Sequence, residues 1–263
     1  MDLKLKGNAA LVTASSSGLG RAVARSLARE NVNVAVNGRS QEKLDETVRE
    51  LKELGSGKVI GIQGDITKKA DIENLVEKTY QEFGQLDHLV TSAGGPPSTT
   101  FMETTDEDWY QSYDLLVMSV VRIVRAASKY LKAGSGGTIV NITSMSTKEA
   151  IEGLVLSNSV RMAVIGLMKT LSKEFGPKIR ANAVLPGPHE TSRMQDLINA
   201  GIKQDRFESY QEGLEAWSDG IPVDKIGEPD RLGDLVAFLS SPLSNYINGT
   251  AIPIDGGKSS SNL

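Results

Sequence analysis

The sequence predicts an α/β chain: a doubly wound parallel sheet of about seven strands, flanked by helices, in one domain. Two observations carry this. Short apolar runs alternate with longer amphipathic ones along the whole chain, and repeated strand–helix alternation builds a parallel sheet covered on both faces. The 263 residues show no internal repeat and no linker, and a sheet of this kind uses such a length as one unit. Residues 1–263 are therefore read as a single domain.

The elements follow in order. Residues 8–13 (NAALVT) have the pattern of a buried strand, and 18–30 place Leu19, Val23 and Leu27 at helical spacing. Strand 32–36 precedes a charged helix over 41–54, and strand 59–63 precedes a helix over 68–83. A fourth strand, 86–90, leads to a long apolar helix over 109–131. A fifth, 138–142, leads to another over 156–175. A sixth strand covers 180–184; a helix over 230–239 and a strand over 251–254 close the pattern. Length and period carry these assignments. One extended irregular stretch, 187–226, follows a strand end and reads as a substrate lid. The small polar tail 258–263 reads as loose.

Composition narrows the function. The net charge is −4 with signs mixed, so no basic face for nucleic acid stands out. There is no cysteine, which removes disulfides, thiolate zinc sites and cysteine nucleophiles. No metal site is expected. No apolar run is long enough to span a bilayer, and no signal peptide is visible, so a cytoplasmic protein is expected.

The stretch Thr13-Ala14-Ser15-Ser16-Ser17-Gly18-Leu19-Gly20 joins the first strand to the first helix. Pyrophosphate needs backbone N–H donors and the positive end of a helix dipole. Gly18 and Gly20 let the backbone come close. The motif follows a strand, opens a helix and sits in a βαβ unit of the right length, which marks a dinucleotide site. Ala14 stands where such turns favour glycine, so the turn is expected to adopt a conformation open to alanine. After the second strand comes Asn37-Gly38-Arg39-Ser40. An acidic residue there would bind a ribose 2′-hydroxyl, and none is present. Arg39 can fork onto a 2′-phosphate, so NADP(H) is favoured, with NAD(H) possible.

These residues resemble the short-chain dehydrogenase/reductase family, a Rossmann-type fold, nearly end to end. The family's TGxxxGxG loop is TASSSGLG here. Its aspartate after the third strand matches Asp65, beside Ile66. Its NNAG turn matches Thr91, Ser92, Ala93 and Gly94, and its Pro-Gly matches Pro186-Gly187. The threonine that meets the nicotinamide amide matches Thr191. The resemblance is nearest to 3-oxoacyl-acyl-carrier-protein reductases and to sugar and alcohol dehydrogenases. It implies cofactor contacts at these positions, a small carbonyl or alcohol substrate, and a homodimer or homotetramer paired through the two long helices.

The resemblance breaks at the catalytic set. The family uses Asn, Ser, Tyr and Lys, the last two spaced YxxxK. The serine matches Ser144. The usual spacing to the tyrosine lands on Ser157, and the lysine position on Arg161, which would also face the cofactor. The helix asparagine falls on Leu116, read as a core residue. A tyrosine can be pulled toward neutral pH by an ammonium, whereas a serine hydroxyl is a poor proton carrier. Arginine stays protonated and cannot shuttle protons, but its fork can hold an anion. His189, after the Pro-Gly turn, titrates in the right range to carry the proton. His88 reads as structural. Glu149 and Glu152 read as solvated, the alternative being that one raised carboxylic acid there protonates a carbonyl oxygen. Tyr110 and Tyr113 read as packing residues.

Two readings follow. One is an NADP(H)-dependent oxidoreductase with an altered Ser144–Ser157–Arg161 set, water or His189 supplying the proton, and a substrate that an anionic group would suit. The other is a dinucleotide-binding sensor or partner subunit without turnover.

Overall fold

All seven apolar runs read as strands pair into one sheet in the computed structural model, which describes residues 1–134, 136–203 and 205–262. The strands are β1 (Ala9–Val12), β2 (Asn33–Gly38), β3 (Val59–Gln63), β4 (His88–Thr91), β5 (Gly137–Ile142), β6 (Ile179–Pro186) and β7 (Ala251–Ile254). Their spatial order is β3-β2-β1-β4-β5-β6-β7, every pair parallel. The order reverses between β1 and β4, and a crevice opens at such a switch point beyond the carboxyl ends of the strands.

Alternation along each strand feeds two apolar layers. On β5, Ile139 joins one layer and Val140 the other. The first layer packs Leu89, Ile123, Leu131 and Leu171 under α3 (Lys69–Phe83), α5 (Ser119–Leu131) and α6 (Val155–Glu174). The second packs Leu27, Val36, Leu44 and Val236 under α1 (Gly18–Arg29), α2 (Gln41–Leu54) and α9 (Pro229–Ser240). Central strands buried on both faces explain the unbroken apolar runs in the sequence.

Three expectations are corrected. The helix read over 109–131 begins earlier, as α4 (Asp106–Tyr113), and passes through a π-helical turn at Asp114–Met118 before α5. Its start is set by Thr105, whose hydroxyl accepts from Asp108 N while Asp108 reaches back to Thr105 N, a capping box. The stretch 187–226 is not irregular: it holds α7 (Ser192–Lys203) and α8 (Tyr210–Ser218). Met194 and Ile198 anchor α7 in the core. The tail is tied down: Lys258 Nζ donates to Asp219 O at 3.1 Å and Ser260 N to Glu149 Oε2 at 2.8 Å. Leu263 lies outside the described residues.

Candidate active site

The turn after β1 keeps a left-handed conformation. Ala14 has φ +45°, so the expectation of a conformation open to alanine is wrong, and the residue sits in a region that costs an L side chain about 1–2 kcal/mol. Its amide donates to Asn37 Oδ1 at 3.1 Å, which holds the turn there. A Cβ on Gly20 would lie 2.5 Å from Ala14 O, so only glycine lets α1 start this close to the turn. Ser17, at the N-cap, makes no side-chain bond to the helix, and no acidic residue occupies the first turn. The first helical N–H groups are thus left for an anion in front of them.

Residues 16–20 form one wall of a cleft of about 1170 Å³ at the switch point. Thr13 and Ser15, expected to touch the cofactor, instead turn inward. Thr13 Oγ1 donates to Ser92 O at 2.7 Å and accepts from Ser92 N at 2.8 Å, stitching the two turns beside the cleft. Ser15 Oγ donates to Val12 O at 2.7 Å and accepts from Asn37 N at 3.0 Å.

Arg39, Asp65 and Ile66 line the next part of the cleft. Arg39 is exposed and its guanidinium makes no hydrogen bond with another described residue. The Thr67 backbone N–H and hydroxyl hold the Asp65 carboxyl below its ordinary range, with Arg39 and Lys68 adding to the effect. Sequence reading missed Asn37. Besides holding Ala14, its amide donates to Ile62 O at 3.2 Å and Gly64 O at 3.0 Å. The signal was an asparagine at the end of an otherwise apolar strand. Ser92, Ala93, Gly94, Pro186, Gly187 and Thr191 complete this side of the cleft.

At the far end the cleft is lined by Ser144, Ser157, Arg161 and His189. Three elements bring them together: the turn after β5, the first turns of α6, and the loop after β6. Ser157 and Arg161 lie one helical turn apart on α6, and Arg161 Nε donates to Ser157 Oγ at 3.2 Å. Arg161 Nη1 donates to Thr143 O, also at 3.2 Å, and the side chain is buried. Ser157 Oγ pairs with Ser146 Oγ at 3.0 Å, and Ser146 N donates to Ser144 Oγ at 3.1 Å. Ser146 and Asn158 were not foreseen. Asn158 bonds both backbone groups of Ile151 (3.1 and 2.9 Å), pinning the loop before α6.

His189 is buried. Its Nδ1 lies 2.9 Å from Gly187 O, and burial lowers the imidazole below its ordinary range. Leu116 is buried as expected. It adjoins a cavity of about 10 Å³ with Asn141 and Arg161, room for about one water. Tyr110, read as a packing residue, is 69% exposed and stands on the cleft wall with Glu107. Glu149 spends one oxygen on Ser260 N, and Glu152 is not on the cleft wall. His88 lies inside the sheet between Asn8 and Thr138. Among the described residues no group of three or more His, Cys, Asp or Glu is placed to hold a metal, and no helix is long and apolar enough to cross a membrane.

A parallel sheet with an uncapped helix N-terminus at its switch point, and a cluster of hydroxyls and a buried cation at the other end of the same cleft, defines a dinucleotide-binding α/β oxidoreductase. The chain belongs to the short-chain dehydrogenase/reductase family. A family model described as enoyl-(acyl carrier protein) reductase matches residues 13–259. A diacetyl reductase, (S)-acetoin forming, from Staphylococcus epidermidis is 32% identical over 94% of this chain and 97% of its own length. A 3-oxoacyl-acyl-carrier-protein reductase of Thermotoga maritima is 30% identical over 97% of this chain and 99% of its own. Among solved structures, an L-sorbose reductase from Gluconobacter frateurii, complexed with NADPH and L-sorbose, superposes with a TM-score of 0.94 at 30% identity, covering 98% of both chains.

Proposed function

We propose that the chain is an NADP(H)-dependent oxidoreductase that interconverts a carbonyl and a hydroxyl group, with Ser144, Ser157 and Arg161 grouped at the reacting oxygen. One observation carries this: Arg161 is buried on the wall of the same cleft as the uncapped helix N-terminus and bonded to Ser157. The family's tyrosine and lysine are replaced here by Ser157 and Arg161.

The cofactor's pyrophosphate would meet the first N–H groups of α1, its 2′-phosphate Arg39, and its nicotinamide end the Gly187 and Thr191 side. The bound nucleotide supplies or takes the hydride. Ser144 and Ser157 donate hydrogen bonds to the carbonyl oxygen, and Arg161 sets positive charge behind Ser157 as negative charge develops there. Arg161 cannot release its own proton. His189 is the proton carrier nearest in chemistry. Gly187 O can only accept, so the neutral imidazole carries its hydrogen on Nδ1 and presents Nε2 as an acceptor. In alcohol oxidation Nε2 takes the hydroxyl proton, directly or through water, as hydride leaves carbon. Reduction reverses both transfers. A buried cation suits a substrate with an anionic group.

The segment 187–226 acts as the substrate lid in this reading. Assembly into a homodimer or homotetramer would cover exposed Tyr113 and Met162 on the two long helices, and the protein would work in the cytoplasm.

Titration of NADPH and NADH into the protein, followed by a screen of diketones, ketoses, 3-oxoacyl thioesters and keto acids for cofactor oxidation, tests the reading. Binding of NADPH and turnover of at least one class is expected. NADPH binding without turnover on any class would leave a silent dinucleotide-binding protein in its place.

A further inference from the structure

We propose that Ser146 is a positioning residue that aims the hydroxyl hydrogen of Ser157 into the cleft. This rests on the reading above, in which Ser157 meets the reacting oxygen. A serine hydroxyl has one hydrogen to give and two lone pairs with which to accept. One lone pair of Ser157 Oγ receives Arg161 Nε–H at 3.2 Å, and an arginine can only donate. Ser146 Oγ sits 3.0 Å from the same oxygen.

The direction of that second bond follows from burial. Ser146 is 3% exposed and is not part of the cleft wall. Its hydroxyl has no partner other than Ser157 among the described residues. If Ser157 donated to Ser146, the Ser146 hydrogen would be buried with nothing to bond, and such donors are rare because they lose their water without return. Ser146 therefore donates. Both lone pairs of Ser157 are then filled, and its own hydrogen turns to the one open direction, the cleft that Ser157 lines.

The chemistry gains from this. Each bond received by Ser157 Oγ polarises its O–H and steadies negative charge on the oxygen, the guanidinium bond more than the hydroxyl bond. Ser157 becomes a pre-aimed, strengthened donor to the substrate oxygen. Ser146 itself touches no substrate.

The test compares Ser146→Ala and Ser146→Thr in the full-length protein with NADPH and whichever carbonyl the wild type reduces. Ser146→Ala should lower kcat about tenfold, with KM and NADPH affinity changed less than about twofold. Ser146→Thr, which keeps the hydroxyl, should recover most of the rate. In a Ser157→Ala background, Ser146→Ala should cost nothing further. An unchanged kcat in Ser146→Ala, or a loss that persists in the Ser157→Ala background or is equal in Ser146→Thr, would overturn the proposal while the oxidoreductase reading stood. A wild type that turns over no carbonyl would remove both.

Discussion

His189 Nδ1 donates to Gly187 O at 2.9 Å, and that single bond fixes which imidazole nitrogen faces a proton. The ring is packed against Gly227, where a Cβ would come within 2.8 Å of Nε2 and Cδ2. Burial lowers the histidine, offset in part by the Gly187 bond, which favours the protonated ring. In the proposed reaction the neutral form accepts the proton in alcohol oxidation. The oxidation rate should therefore be flat at neutral pH and fall as pH drops through the lowered histidine value. His189→Gln should remove that limb and lower kcat about 100-fold. Gly227→Ala should have the same sense of effect by moving the ring. pH–rate profiles of the three proteins check this.

Arg39 should decide between the two nicotinamide cofactors. Its guanidinium stands on the cleft wall beside Asp65. A charged fork to a phosphate contributes about 1.5–3 kcal/mol. Arg39→Ala should weaken NADPH roughly 10- to 100-fold and NADH less than about threefold. Fluorescence titration with each nucleotide measures both.

Ala14 at φ +45° is a local cost in the native state. Glycine adopts this conformation freely, so Ala14→Gly should stabilise the fold by about 1 kcal/mol, after its greater freedom in the unfolded chain is subtracted. For a chain of this size that is about 2–4 °C in Tm. Ala14→Val should lower Tm. Thermal melts in the absence of nucleotide give the comparison.

The sheet was legible because buried parallel strands are plain apolar runs, and Val12, Val36, Val90 and Val140 mark them directly. Other features left weaker traces. The π turn at Asp114–Met118 depends on which carbonyl each N–H finds, which hydrophobic spacing does not record. Helices α7 and α8 carry Gly201 and Gly213 within short stripes, so their period is broken. At the site, Ser157 and Arg161 were picked out by their spacing from Ser144, and both line the cleft. Thr13 and Ser15 matched the family's glycine loop, yet their hydroxyls serve the backbone. A sequence match places a residue in a turn and does not say which way its side chain leaves. Ser146 and Asn37 were missed because a polar residue at a buried position announces a partner without naming it.

His88 couples stability to pH. It lies fully inside the sheet, with Nε2 2.9 Å from the Asn8 amide nitrogen and Nδ1 2.9 Å from Thr138 Oγ1. Burial, with Arg180 adding to it, pushes the histidine down to about 3 from 6.5. Between those values the unfolded chain binds a proton that the folded chain refuses. The contribution is fully present above pH 6.5 and is lost as pH falls toward 3, at about 1.4 kcal/mol per pH unit. Urea melts from pH 7 to 4 should show this slope, and His88→Gln should flatten it.

In the proposed reaction a serine paired with an arginine acts at the reacting oxygen. Steady-state reduction by wild type and Ser157→Ala, run beside NADPH titrations of both, tests it most directly. A fall in kcat of about 100-fold is expected, the effect of losing one donor to a developing oxyanion, with NADPH affinity unchanged. Equal kcat in the two proteins would contradict it.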